Sequence, residues 1–295
     1  MTEADFSFLR LLLQQRSGLS LSADKRYLAE SRLGIFCRRR GIADIATLIG
    51  QLRLSRDPDL ESAVVDAMTT NETLFFRDQT PFNLFRDVIL PERLAANAAS
   101  RSLRIWCAAV SSGQEAYSLA MLIDELGERL AGWKIEILGT DISAEILEKA
   151  RAGIYSQFEI QRGLPIQMLL KHFQQHGDKW QVSQRIRSMV TFKQHNLLER
   201  NDQFGRFDVI FCRNVLIYFD VPTKVKVLER LTPRLVPDGA FLLGAAETVL
   251  GLATTLICDP QHRGLFRHAS MAAPLAASPA SGVRPRPVVA AGMPG

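Results

Sequence analysis

The feature that most constrains the fold is an alternation, from residue 102 onward, between short apolar runs and helix-like segments. We interpret five runs as strands: SLRIWCAA (102–109), KIEILGT (134–140), MVTFKQ (189–194), FDVIFC (207–212) and GAFLLGAA (239–246). Predicted helices occupy the gaps at 115–130, 143–152 and 222–235. Strands joined by helices in this way are typical of a parallel sheet covered on both sides. The sequence therefore predicts an α/β domain with a doubly wound, mostly parallel sheet over residues 102–268.

The first 70 residues follow a different pattern, with apolar residues at helical spacing and short loops between the periodic segments. The predicted helices are DFSFLRLLLQQRSG, SADKRYLAESRLGIFCRRRG, IADIATLIGQLR and PDLESAVVDAM. Ser22 is a plausible N-cap of the second helix, and Gly41 is a plausible stop. We expect a small all-α domain over residues 1–70 and a junction segment over residues 71–101.

One connection in the sheet domain, residues 153–188, is too long for a plain crossover. It contains a predicted helix, LPIQMLLKHFQQH, followed by GDKWQVSQRIR, whose Gly177-Asp178 turn and near alternation suggest small strands. We therefore expect an inserted small β-subdomain. The last segment, residues 269–295, holds eight Ala, five Pro and three Gly and is predicted to be a disordered tail.

Composition excludes several classes of protein. The hydrophobic content of 47% suits a globular protein, but the longest apolar runs are far shorter than the roughly 18 residues that span a bilayer. The N-terminus lacks the basic region and cleavage site of a secretory signal, so we predict a cytoplasmic protein without a transmembrane segment. The four cysteines form no C-x-x-C pair, and Cys107 and Cys212 lie in apolar strand-like runs, so neither disulfides nor zinc sites are expected.

Polar residues follow several of the predicted strands, where ligands of open α/β sheets bind. The first loop, AVSSGQE, lacks the G-x-G-x-x-G pattern of dinucleotide folds. Glu115, at the start of the next helix, is either a simple helix-start acid or the partner of a cationic ligand group. Asp141 is either a helix N-cap or an acceptor for a ribose diol, and we favour the ribose because Ser143 is available as the cap.

Two further segments carry candidate site residues. CRNVLIYFD follows a strand and places Arg213, Asn214 and Tyr218 near the expected ligand. TTNETLFFRD, at the junction between the two domains, contains more hydrogen-bonding side chains than a linker needs.

His172 and His176 lie four residues apart on a predicted helix, but no third ligand accompanies them in an H-E-x-x-H pattern. We assign both histidines to a solvated face and predict no metal site.

These stretches together resemble the chemotaxis receptor glutamate O-methyltransferases, the CheR family, which use S-adenosylmethionine. The resemblance runs from the N-terminal helices to about residue 268 and rests on TTNETLFFR, SSGQEAYSLAM, GTDIS, NLL and FDVIFCRNVLIYFD in the family's order and spacing. It implies a class I methyltransferase-type fold. Departures from the family pattern are Gln114 and Ala116, where Glu and Pro are usual, and Ala245-Ala246, where His-Ser is common.

The resemblance also implies a cofactor held between the helical domain and the sheet domain. By this comparison Glu115 contacts the methionine amino group, Asp141 the ribose, and Asn196 and Leu197 the adenine side. The remaining implied cofactor contacts are Asn71, Thr73 and Arg77 of the junction, and Arg213 and Asn214 near the methionine portion. Arg77, Arg213 and Tyr218 are hypothesised to position the substrate.

Methyl transfer to glutamate suits a site without a catalytic triad. A glutamate carboxylate is already ionised at neutral pH, because its reference pKa is about 4.3, and needs no strong general base. The enzyme has to align the carboxylate oxygen, the methyl carbon and the sulfur and exclude water.

The second predicted helix carries a basic region with one acid, Glu30, among six cations: Lys25, Arg26, Arg32, Arg38, Arg39 and Arg40. It lacks the interleaved aromatic residues of a nucleic-acid site, and the resemblance implies that it faces the acidic methylation helices of a receptor. A solvated face is the alternative. The insertion at 153–188 corresponds to the family's β-subdomain, which in some members binds a receptor's C-terminal peptide, and otherwise serves as a lid.

Two other functions remain open at this point. One is a methyltransferase of the same fold that acts on a small carboxylate, with an enclosed pocket and no need of the basic region. The other is a non-catalytic module that senses S-adenosylmethionine or scaffolds signalling proteins.

Overall fold

The computed structural model describes residues 1–55, 57–252 and 254–269. Its strands are β1 (Ser102–Ala108), β2 (Lys134–Asp141), β3 (Ile154–Ser156), β4 (Phe173–His176), β5 (Lys179–Val182), β6 (Val190–Gln194), β7 (Phe207–Cys212), β8 (Leu235–Leu243), β9 (Leu256–Cys258) and β10 (Leu265–His268). Within the described residues, seven strands form one sheet in the order β6-β2-β1-β7-β8-β10-β9. The five strands from β6 to β8 are parallel, and β10 and β9 are antiparallel to their neighbours. The predicted doubly wound, mostly parallel sheet is confirmed.

Helices surround this sheet and form a separate unit at the N-terminus. They are α1 (Glu3–Ser17), α2 (Arg26–Arg40), α3 (Ile45–Ser55), α4 (Pro58–Met68), α5 (Thr80–Leu84), α6 (Leu90–Ala96), α7 (Gln114–Asp124), α8 (Ala144–Ala152), α9 (Gln157–Gln161), α10 (Ile166–His172), α11 (Gln184–Arg187) and α12 (Val221–Leu231). A π-helical stretch, Phe85–Ile89, joins α5 to α6. Among the described residues, no helix is long and apolar enough to span a membrane.

Both faces of the sheet are buried, as the apolar strands predict. In β1, Ile105 and Cys107 belong to the core on one face, which is covered by α7 and α8. Trp106 and Ala108 belong to the core on the other face, which is covered by α12. Because successive side chains of a strand point to opposite faces, β1 supplies residues to both cores. The strand order reverses between β1 and β7, which is where ligands of such sheets bind.

The N-terminal helices have local signals at their ends. The side chains of Thr2 and Asp5 form a capping box at the start of α1. Gly18 ends the helix in the left-handed conformation. Asp57 caps α4, in which Pro58 is the first residue. These helices pack around their own apolar core, which includes Phe6, Leu9, Leu13, Leu33, Leu48, Val64 and Met68.

The insertion differs from its predicted secondary structure. The predicted helix over 164–176 ends at His172, and Phe173–His176 instead form β4, which pairs with β5 across the Gly177 turn. The two histidines therefore do not share a helix. His172 is buried rather than solvated, with Nε2 3.2 Å from the Oε1 atom of Glu125, so its assignment to a solvated face was wrong.

Other boundaries also shift. The helix predicted over 115–130 ends at Asp124 and is followed by a short 3-10 turn, Gly127–Leu130, and the one predicted to reach 235 ends at Leu231. The last parallel strand begins at Leu235, and the β9–β10 hairpin was not predicted. Ser22 makes no capping hydrogen bond. The predicted tail lies outside the described residues beyond residue 269.

Candidate functional site

A cleft lies where the N-terminal helices meet the carboxyl ends of the central strands. It holds about 1000 Å³ of space, part of it open to solvent. The cleft is lined by all ten residues that the sequence nominated: Asn71, Thr73, Arg77, Glu115, Asp141, Asn196, Leu197, Arg213, Asn214 and Tyr218. The structure thus brings together residues from five separate stretches of the chain. Their individual contacts with a cofactor stay predictions.

The junction segment forms one wall of this cleft and is anchored to the sheet domain. The Asn71 carbonyl accepts a hydrogen bond from the Ser111 hydroxyl (2.9 Å), and the Phe76 N–H donates to the Ser118 hydroxyl (3.1 Å). Phe75 is fully buried, which fixes the backbone next to Arg77. The junction segment that carries these polar side chains is therefore held in place by a buried phenylalanine.

Arg213 forms a buried ionic cluster at the floor of the cleft. Its Nη1 atom donates to Glu115 Oε2 and its Nη2 atom donates to Asp78 Oδ2, both at 2.8 Å. The Nη2 atom also donates to the Arg77 carbonyl (2.8 Å), which ties the loop after β7 to the junction. Burial raises the pKa of Glu115, and the Arg213 guanidinium opposes that rise.

Asp141 ends β2 and faces the loop that follows β1. Its carboxylate accepts hydrogen bonds from the backbone N–H of Ser111 (2.8 Å) and of Ser143 (3.1 Å). The Ser143 hydroxyl accepts from the Ile146 N–H and so caps α8, which confirms Ser143 as the cap. Burial raises the pKa of Asp141, and the N–H donors oppose that rise.

The far end of the cleft is closed by contacts between α1 and the sheet domain. The Asn196 side-chain amide donates to the Arg16 carbonyl (2.6 Å), and its oxygen accepts from the Leu198 N–H (3.0 Å). The Ser20 N–H donates to the Tyr218 carbonyl (2.8 Å). The helical unit therefore contacts two of the loops that line the cleft.

Backbone strain is concentrated around the same cleft. In the described residues, seven non-glycine residues have a positive φ, and all but Arg101 lie in residues 76–79 of the junction or in the loops after β1 and β7. Those six are Phe76, Asp78, Gln79, Ala109, Ser111 and Asn214. Such residues cost of order 1–3 kcal/mol each and cluster at functional sites. The pattern supports the cleft as the site of function.

Family models match almost the whole described chain. Residues 4–69 match the all-alpha domain of CheR methyltransferases, and residues 71–264 match their SAM binding domain. The chain belongs to the CheR methyltransferase family. It is therefore a methyltransferase with S-adenosylmethionine as its cofactor, and the sequence-based assignment to this family is confirmed.

Relatives from several bacteria cover most of the chain. Chemotaxis protein methyltransferase 1 of Pseudomonas aeruginosa is 43% identical over 255 residues, which are 84% of this chain and 92% of the relative. Chemotaxis protein methyltransferase 1 of Vibrio cholerae is 43% identical over 81% of this chain and 87% of its own length. The chemotaxis protein methyltransferase of Escherichia coli is 36% identical over 84% of this chain and 85% of its own length.

The residues of the cleft suit this cofactor. Glu115 and Asp141 offer buried carboxylates to a cationic amine and to hydroxyl groups. Within the described part of the chain, the Nε atom of Arg213 is buried without a hydrogen-bond partner, so a donor is left for a ligand carboxylate.

Two residues that organise the site were not among the sequence-based candidates. Asp78 is a partner of Arg213, and Glu247 accepts hydrogen bonds from the loop after β7. Asp78 directly follows the candidate Arg77 in the sequence, and this position in the motif could have identified it as a further site residue. Glu247 stands 33 residues from Asn214 in the sequence, and only the folded chain shows that they meet.

Proposed function

We propose that this protein transfers a methyl group from S-adenosylmethionine to glutamate side-chain carboxylates of chemoreceptors. The products are glutamate methyl esters and S-adenosylhomocysteine, and the reaction serves adaptation in chemotaxis. The observation that supports this most is the convergence of ten family-matching residues on one cleft between the helical and sheet domains. The names of the relatives supply the substrate class.

We assign each wall of the cleft to one part of the cofactor. Glu115 binds the methionine amino group, while Arg213 and Asn214 bind near the methionine carboxylate. Asp141 binds the ribose hydroxyls, and its two N–H donors leave acceptor capacity on both carboxylate oxygens. The adenine side lies against Asn196 and Leu197. Asn71, Thr73 and Arg77 contact the cofactor from the junction wall.

When bound, the cofactor supplies an electrophilic methyl group on a sulfonium. The chain's own residues then have to bring in a carboxylate and keep it aligned. Arg77 attracts the acceptor carboxylate, Arg213, whose charge is already balanced by Glu115 and Asp78, helps to position it, and the Tyr218 hydroxyl orients it. The acceptor is already ionised near pH 7, so these residues position it without removing a proton.

The surface beside the cleft supports a protein acceptor. A groove shares Thr69 and Asn71 with the cleft and runs along α2, where Arg39 and Arg40 line it. Arg38, Arg39 and Arg40 are exposed at the end of this helix, so positive charge lies next to the site. We propose that this basic end of α2 attracts the acidic methylation helices of a receptor, as long-range steering predicts.

Other cations of the predicted basic region hold the fold together. Arg32 donates to the Met68 carbonyl (2.5 Å) and the Thr69 carbonyl (2.8 Å), which fixes the entry to the junction. Arg26 pairs with Glu30 (3.2 Å) and also contacts Glu3. Lys25 is exposed at the opposite end of α2. We therefore assign receptor attraction to the three arginines at positions 38–40 rather than to all six cations.

The insertion offers a site for a second receptor segment. Its sheet has the order β3-β5-β4, so within the described residues β4 has one edge without a paired strand. Gln174, Gln175 and His176 are exposed along this strand. We propose that a receptor's C-terminal peptide pairs with this edge by adding a strand, and that the protein works in the cytoplasm where such segments lie.

The decisive experiment follows radiolabelled methyl groups from S-adenosylmethionine to receptor-containing membranes. Base-labile label is expected on the receptor, and it should disappear when the acceptor glutamates are changed to glutamine. Failure to label any receptor, with cofactor binding intact, favours the non-catalytic module. Label on an added small carboxylate instead of the receptor favours the small-carboxylate enzyme.

The basic end of α2 is tested in the same assay. R38A/R39A/R40A should raise KM for the receptor and leave KM for S-adenosylmethionine unchanged, because the cofactor cleft is not lined by these side chains. The matched control R86A/R129A/R200A removes the same charge from exposed positions elsewhere. Equal effects of the two triple variants would show that only net charge matters.

A further inference from the structure

The carboxylate of Glu247 accepts hydrogen bonds from five backbone N–H groups. Glu247 follows β8 at the end of GAAE, and its carboxylate accepts hydrogen bonds from four consecutive residues of the loop after β7 and from its own turn. The donors are the backbone N–H groups of Asn214 (2.7 Å), Val215 (2.9 Å), Leu216 (2.7 Å), Ile217 (3.3 Å) and Gly244 (2.7 Å). An anion held by successive N–H groups is a strong and directional arrangement.

The loop that Glu247 binds is the one that carries site residues. Arg213, Asn214 and Tyr218 line the cleft, whereas Glu247 does not. Asn214 has a φ of 58°, a left-handed conformation that needs support from its surroundings. The loop contains only a short 3-10 turn, Leu216–Tyr218, and the N–H groups of residues 214–217 donate to the Glu247 carboxylate.

We infer that Glu247 is a positioning residue of the methyltransferase site. Its carboxylate fixes the backbone of residues 214–217, and this backbone sets where Arg213, Asn214 and Tyr218 stand in the cleft. Loss of the carboxylate releases the loop and weakens both cofactor binding and substrate alignment. The effect on substrate alignment rests on the proposed function, whereas the effect on cofactor binding does not.

Two substitutions disturb these contacts by different routes. Glu247→Gln replaces one acceptor oxygen by an amide NH₂, which then faces N–H donors without an acceptor between them. Gly244→Ala keeps the charge but adds a Cβ that would lie 2.7 Å from Glu247 Oε2, 2.8 Å from Asn214 Nδ2 and 3.0 Å from the Asn214 backbone nitrogen. Glu247→Asp keeps the charge on a shorter side chain.

The experiment measures binding of S-adenosylhomocysteine by calorimetry, well below the Tm of each variant. Hydrogen bonds to a charged group are strong enough that Glu247→Gln should weaken binding by roughly tenfold or more. Gly244→Ala should weaken it in the same direction, and Glu247→Asp should recover part of the loss. Single-turnover methyl transfer at saturating cofactor should also slow in the first two variants.

The matched control is Asp259→Asn. Asp259 also accepts backbone N–H groups, from Gln261 and His262, and it does not line the cleft. Wild-type binding by both E247Q and G244A, to within about twofold, would overturn the inference, as would an equal loss in D259N. If E247Q does not fold, E247D and G244A decide together, and wild-type binding by both would overturn the inference. If the wild-type protein does not methylate receptors, the proposed acceptor is wrong, but the result of the cofactor-binding test still holds.

Discussion

Replacing Glu115 by glutamine is the sharpest test of how the cleft holds its cofactor. Glu115 is one of two carboxylates bound to Arg213, whose side chain is only 1% exposed. Removing one member of a buried pair usually costs about 3–5 kcal/mol, because a charge is left buried alone. Here Asp78 and the Arg77 carbonyl still accept from Arg213, so Glu115→Gln should fold with a modest loss of stability.

The loss in cofactor affinity is expected to be larger than the loss in stability. Glutamine cannot form a charge-assisted contact with the methionine amino group, and hydrogen bonds to charged groups contribute about 1.5–3 kcal/mol. This corresponds to a weakening of roughly 10- to 150-fold in Kd for S-adenosylhomocysteine. Titration calorimetry measures the Kd, and thermal unfolding without ligand measures the stability.

Asp78→Asn is the matched comparison, because it removes the other carboxylate of the same guanidinium. Asp78 is not among the residues that line the cleft. If Glu115 contacts the cofactor directly, Glu115→Gln should weaken binding clearly more than Asp78→Asn does. Equal losses would mean that Glu115 acts only through Arg213, and a Kd for E115Q within about twofold of wild type would refute its role in binding.

Three further predictions concern the packing of the insertion. Burial lowers the pKa of His172 below 6.5, so the unfolded chain binds more protons at acidic pH and the free energy of unfolding should fall below pH 6.5. In His172→Gln the free energy of unfolding, measured by urea titration above and below pH 6.5, should fall less than in the wild type. An unchanged pH dependence would contradict the lowered pKa of His172. Gly163→Ala adds a Cβ that would overlap the Phe75 carbonyl at a φ of 89°. It should lower Tm more than Gly264→Ala, a control outside the insertion whose Cβ meets open space at a φ of 87°. Equal shifts in Tm would exclude the overlap. Tyr155→Phe removes a buried hydroxyl that donates to the loop after β1 (2.7 Å) and should lower the free energy of unfolding by about 1–3 kcal/mol, so an unchanged value from urea unfolding argues against this bond.

The secondary structure was predictable where local signals agree with burial. The predicted α4 has the observed bounds, Pro58–Met68, because a capping Asp57 and a first-turn proline start it. The central strands β1 and β7 were found because their apolar runs are buried on both faces, whereas the edge strand β6 has exposed residues on one face. The β9–β10 hairpin was missed because its strands have three and four residues and depend on pairing with β8. The tertiary pairing of β4 with β5 likewise overrides the helical pattern around His172.

The site was predictable where polar residues directly follow a strand, because the carboxyl ends of parallel strands meet at one edge of the sheet. Asp141 and Arg213 follow from this rule. The ionic partner Asp78 and the loop anchor Glu247 do not, since each contact joins segments that are distant in the sequence. The excess of hydrogen-bonding side chains singled out the junction, but only the resemblance to the family supplied a role for its residues.

The strained loops of the cleft also depend on how their ends are held. The loop containing Ala109 and Ser111 starts from β1, which is buried between two parallel neighbours, and the loop containing Asn214 starts from β7. Cores on both faces of the sheet stabilise these strands independently of the loops. A rigid origin lets each loop keep a conformation that costs free energy, because relaxation would require the strand to move. The same argument explains why a carboxylate that holds such a loop without lining the cleft, as Glu247 does, matters to the site.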